Sequence, residues 1–109
     1  MSTKIETFIA GAVTSKGSEL MRYADLVDLQ DAAIRLGYVV QSVEAYQNYG
    51  DYTRPRLDAT FSYPHSIYSA NWSDTVLKSR IGLDLLLSTV RDKQDLLYQV
   101  WVDICSSVE

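Results

Sequence analysis

Cysteine occurs once in these 109 residues, histidine once, proline twice and glycine five times. The lone Cys105 cannot close an internal bridge, so a disulfide-stapled scaffold is excluded and a reducing, cytoplasmic location is expected. Scarce proline and glycine exclude collagen-like and low-complexity chains. No stretch reaches the roughly 20 apolar residues that a membrane helix needs, because Asp84 and the segment 92–95 interrupt the best candidates. The short apolar run from Phe8 to Val13, with Glu6 where positive charge belongs, does not read as a secretion signal. Basic stripes are also missing. The formal net charge of -4 is spread along the chain, so neither direct nucleic-acid binding nor nucleic-acid mimicry is expected.

What is present is 47% hydrophobic residues and 22% charged ones. A chain of this length buries roughly two thirds of its unfolded surface, enough for one core without metal or disulfide staples. Residues 1–109 therefore read as a single small α+β domain.

Ile5, Phe8, Ile9, Ala12 and Val13 form one helical stripe, with Thr3 and Glu6 at capping-box spacing and Gly17 as the stop. Ser18 reads as the cap of a second helix that ends at Gly37 and carries a wide apolar arc including Leu20. Opposite that arc, Asp25, Asp28 and Asp31 read as a solvated face.

From Tyr38 the period becomes two. Tyr38, Val40, Ser42, Glu44 and Tyr46 alternate with Val39, Gln41, Val43 and Ala45. Residues 48–55 read as a loop or hairpin tip. A second strand follows over Arg56–Tyr63, with Leu57, Ala59, Phe61 and Tyr63 on one face, and a third over Ser66–Asn71. These make a two- or three-stranded antiparallel meander.

Ser73 reads as the cap of a C-terminal helix. Val76, Leu83, Val90, Leu97 and Ile104 lie seven apart, yet one helix from Asp74 to Ser106 would be about 50 Å long, against about 35 Å for a domain of this size. The helix is therefore long and projecting, or broken at Arg91–Asp95. Leu96–Ile104 alternates like a strand, but Leu97, Val100, Trp101, Ile104 and Cys105 complete a helical stripe, and helix is the preferred reading.

Catalytic motifs are wanting. There is no phosphate-binding glycine loop, no nucleophile elbow, no HExxH and no calcium-loop spacing, so no metal, cofactor or catalytic residue is assigned and the chain is not expected to be an enzyme. His65 lacks an identifiable orienting partner, and Cys105 reads as a small buried hydrophobe.

Seven of the twelve aromatic side chains fall between Tyr46 and Trp72, with Arg54 and Arg56 among them. Tyrosine, tryptophan and arginine are the residue types that dominate binding hot spots. Tyr46, Tyr49, Tyr52, Arg54, Arg56, Tyr68 and Trp72 are accordingly the candidate partner-binding residues. The expected function is a non-catalytic protein-protein interaction module, a small acidic adaptor, inhibitor or assembly subunit that uses this loop and the C-terminal helix. Its partner would be another protein or a second copy of itself. One alternative is a small anionic ligand such as a nucleotide, with Arg54 and Arg56 on phosphate. The other is a small hydrolase or nuclease built on His65.

Overall fold

The computed structural model of the chain describes residues 2–104, and the expectations for Cys105 and beyond fall outside that range. Helix α1, Thr3–Ala12, is started by Ser2, whose hydroxyl accepts from the Ile5 amide at 3.2 Å, one residue before the expected cap. It stops at Ala12, well before Gly17, which instead sits in a turn at φ 78°. Ser18 caps nothing. It is buried, its amide donates to the Val100 carbonyl and its hydroxyl accepts from the Val100 amide. This ties the chain to a strand edge, and the short strand β1, Met21–Arg22, continues that track. Leu20, expected on a helix face, is largely exposed.

Helix α2 is Tyr23–Leu36, and Gly37 ends it as expected in the left-handed region at φ 73°, which a side chain rarely tolerates. Strand β2, Val39–Asn48, then crosses the domain. Its alternation is interrupted by a bulge between Val40 and Ser42, so Val40 joins Val43 and Ala45 on the core face rather than sharing a face with Ser42. The buried Ser79 hydroxyl donates to the Val40 carbonyl beside this bulge. That is why α3 carries a buried polar residue between Val76 and Leu83.

The meander is shorter than expected. Strand β3 is only Thr53–Pro55 and strand β4 only Phe61–Ser62, both on one edge of β2. Between them Leu57–Ala59 forms a 3-10 turn that buries Ala59 and leaves Leu57 82% exposed. The third strand expected over Ser66–Asn71 is absent. That segment starts with a 3-10 turn, His65–Ile67, and leads to Asn71, which rather than Ser73 caps the next helix by accepting from the Asp74 amide.

Helix α3 runs from Trp72 to Ser88 and stops there, so no long C-terminal helix forms. The polar stretch after Val90 becomes a turn ending in a short 3-10 segment, Lys93–Asp95. Next comes strand β5, Leu96–Asp103, which corrects the helical reading of 96–104. Leu96, Tyr98, Val100 and Val102 are all buried, as strand alternation requires. β5 pairs antiparallel with β2 over almost its whole length, giving the order β1-β5-β2-β3 with β4 also on β2. The break keeps the domain within a longest extent of 45 Å.

The result is an α+β fold with three helices packed on one face of an antiparallel sheet. Leu26, Leu29, Leu83 and Leu87 meet Val43, Ala45, Tyr98 and Val100 in the core. The other face carries Ser42, Glu44, Tyr46, Leu97, Gln99 and Trp101, all half-buried. No helix among the described residues is long and apolar enough to cross a membrane.

Candidate functional site

β2 separates the candidate residues into two groups, because its ten residues span roughly 30 Å at about 3.3 Å each. Tyr46, Tyr49, Tyr52, Arg54 and Arg56 gather at its far end, whereas Tyr68 and Trp72 lie at its start.

The far end is a hairpin. The Asn48 side chain accepts from the Gly50 amide at 3.0 Å, and the Tyr49 amide donates to the Tyr52 carbonyl at 2.9 Å. Gly50 takes φ 89°, so this tight turn depends on glycine. The turn brings the Tyr49 and Tyr52 rings into a stack, centroids 5.0 Å apart at 18°, with 52% and 57% of the two residues in water. Arg54 follows on the fully exposed β3, opposite Gln47, and makes no salt bridge among the described residues.

Arg56 has a different job. Its Nε and Nη2 donate to Asp58 at 2.9 Å each, Nη1 donates to Asp92 at 2.7 Å and to Gln47 at 2.8 Å, and Nη2 reaches Asp92 again at 3.1 Å. All five donors of the guanidinium are occupied. It clamps the hairpin base to the turn after α3 and has no donor left for a phosphate.

Hydrogen bonds from Arg56 hold the Asp58 and Asp92 carboxyls below their ordinary range, reinforced by its charge. Because these folded-state values are depressed, the clamp contributes fully above the unfolded carboxylate value of about 3.9. It is lost as the pH falls through the lower folded-state values. The stability difference between the native chain and Arg56→Gln is therefore expected to be largest near neutrality and to shrink below about pH 4. Urea midpoints of both proteins across that range check this, and a pH-independent difference would refute it.

Beside the hairpin, Glu44, Ala45, Tyr46, Pro55, Leu57 and Thr60 line a shallow, mostly apolar depression. The Tyr46 hydroxyl donates to Glu44 at 2.6 Å, and that bond, with partial burial, pushes its pKa up to about 12. Sequence alternation missed Leu57 and Pro55 as rim residues because it put Leu57 on a strand face with Ala59, Phe61 and Tyr63 and left Pro55 in the loop.

At the start of β2, Tyr68 donates to Asp103 at 2.6 Å, and burial followed by that bond raises its pKa. Trp72 donates to the Gly37 carbonyl at 2.6 Å and meets the Tyr68 ring edge-on at 5.9 Å. Both polar tips are used internally, and the pair pins the 63–72 loop to the sheet. His65 does have a partner, its Nε2 lying 2.8 Å from Asp103, but its side chain is 72% exposed. It lines none of the four depressions described. Among the described residues, no three His, Cys, Asp or Glu side chains are grouped to hold a metal ion.

The hairpin thus presents flat aromatic area, a cation and an apolar depression on a braced loop. The sequence matches no family model and no curated protein, so any functional reading rests on the residues themselves.

Proposed function

We propose that the chain is a non-catalytic protein-binding module, an adaptor, inhibitor or assembly subunit, that engages its partner through the β2–β3 hairpin. Tyr49, Tyr52 and Arg54 make the tip contact, and Tyr46, Pro55 and Leu57 flank the depression that receives an apolar side chain of the partner.

The supporting observation is the stacked, half-exposed Tyr49–Tyr52 pair on a hairpin held at its base by the Arg56 clamp. Leaving two large rings in water forgoes stabilisation, whereas a braced loop spares a partner much of the entropic cost of ordering it. The distal half of the expected C-terminal helix drops out of this reading because β5 takes the place of residues 96–103. The anionic-ligand alternative is weakened by the saturation of Arg56, which leaves Arg54 without its expected companion.

The Tyr49→Ser/Tyr52→Ser double variant should keep the melting temperature of the parent within a few degrees, since neither ring is in the core. It should also lose partner affinity by at least about tenfold, the effect of losing roughly 1.4 kcal/mol from a hot spot. Quantitative mass spectrometry of proteins captured by parent and variant reads this out. Capture of the same proteins in the same amounts by both overturns the proposal.

A further inference from the structure

The apolar depression beside the hairpin contains a carboxylate without a cation. Glu44 is half-buried there among Tyr46, Pro55, Leu57 and Thr60. Its Oε1 accepts from the Tyr46 hydroxyl, and among the described residues its Oε2 has no hydrogen-bond or salt-bridge partner. We propose that the depression takes a lysine side chain of the partner, its methylene stem on Tyr46, Pro55 and Leu57 and its ammonium on Glu44 Oε2. This rests on the hairpin reading above and narrows it, the apolar part received being the lysine stem.

The chain supplies no cation of its own to this carboxylate. Arg56 has all its donors occupied elsewhere. Arg54 stands opposite Gln47, out of step with Glu44 and Tyr46, and so belongs to the other face of the hairpin. Arg22 stands opposite Leu97, which stands opposite Tyr46, so it is two strands from Tyr46, roughly 10 Å at about 4.8 Å each. The surroundings add negative charge. Over residues 44–58 the carboxylates of Glu44, Asp51 and Asp58 outnumber Arg54 and Arg56. The clamp itself, two carboxylates on one guanidinium, is net negative. A cationic group is therefore what this surface attracts, and the chain's net charge of -4 acts in the same direction.

The apolar walls and the half-used carboxylate together select the side chain. A wholly apolar occupant would strip water from Glu44 Oε2 and give it no partner, which is costly for a charged group. Arginine binds a carboxylate best through both oxygens at once, and Tyr46 already holds one of them. A lysine ammonium needs only one oxygen. Its long stem also covers Leu57, which at 82% exposed is the most exposed large hydrophobic side chain among the described residues.

A random-heptapeptide phage library selected on the full chain, with Tyr49→Ser/Tyr52→Ser as the comparison, provides the probes. Peptides that need the two tyrosines should be enriched in lysine. Replacing that lysine by norleucine, which keeps the stem and drops the charge, should weaken binding at least about tenfold, as should Glu44→Gln in the protein. The two changes together should cost no more than either alone, because both remove one contact. Glu44→Gln leaves an acceptor for the Tyr46 hydroxyl, so the melting temperature should stay within a few degrees of the parent. Tyrosine-dependent peptides that carry arginine or apolar residues in place of lysine, or lysine peptides indifferent to Glu44→Gln, overturn the lysine assignment and leave the hairpin reading standing. Peptides bound equally by the tyrosine variant, or no bound peptide at all, overturn both.

Discussion

Tyr98→Ala is expected to lower stability by about 3–5 kcal/mol, the range for emptying a buried aromatic site, or roughly 15–30 °C in melting temperature. Tyr98 is 0% exposed, stands opposite Ala45 on one side and Met21 on the other, and packs its ring 6.2 Å from Tyr23. Its hydroxyl donates to the Lys93 carbonyl at 2.6 Å, and burial raises its pKa, so it remains a neutral donor at physiological pH. Tyr98→Phe removes that one bond and should cost only about 1 kcal/mol. Urea unfolding of both, with Leu97→Ala beside them, tests the strand itself. Leu97 is half-buried on the opposite face, so it should matter less than Tyr98. If Leu97→Ala proved the costlier change, 96–104 would be presenting its helical stripe to the core.

Gly17→Ala is expected to cost about 2–4 kcal/mol, combining a strained left-handed backbone with overpacking. At φ 78° an added Cβ would come within 2.5 Å of the Trp101 ring, where no real contact exists. The ring cannot simply swing aside, because its Nε1 donates to the Ser15 carbonyl at 3.1 Å and the neighbouring Gln99 holds the Lys16 carbonyl at 2.9 Å. The 15–18 turn and the outer face of β5 thus lock together through a glycine with no room for a side chain. Thermal unfolding checks the magnitude. Gly37→Ala provides the contrast, since it shares the backbone penalty at φ 73° but has open space where the Cβ would go. Near-equal losses for the two variants would show that the Trp101 contact contributes nothing.

The helices and β2 were legible in the sequence because their periodicity is local: apolar stripes, a glycine at the end of α2 and a run of β-branched residues. The end of α3 was legible only in part, because the sequence allowed either a long projecting helix or a break at Arg91–Asp95, and the helix stops at Ser88, before that polar run. β5 was not. Leu96–Ile104 satisfies both periods at once, and what decides between them is β2, whose residues pair with it from 49 to 64 positions earlier. The bulge at Val40 was invisible for the same reason, its carbonyl being satisfied from Ser79 on a distant helix.

The candidate site divides along the same line. Tyr49, Tyr52 and Arg54 could be assigned to a surface because alternation gave them no place in a core. Arg56 could not be recognised as a clamp, since Asp92 lies 36 residues away. Tyr68 and Trp72 took their internal partners, Asp103 and Gly37, from equally remote parts of the chain.

The β2–β5 pairing also sets the order of events during synthesis. Until residue 103 has left the ribosome, β2 has a long unpaired edge and its core-facing Val43 and Ala45 lack their β5 neighbours, Val100 and Tyr98. A nascent chain in that condition is at its most adhesive, and the late, long-range closure of the sheet makes folding slow by the measure of sequence separation. The interval before β5 arrives is therefore the one in which this chain is most exposed to wrong pairings.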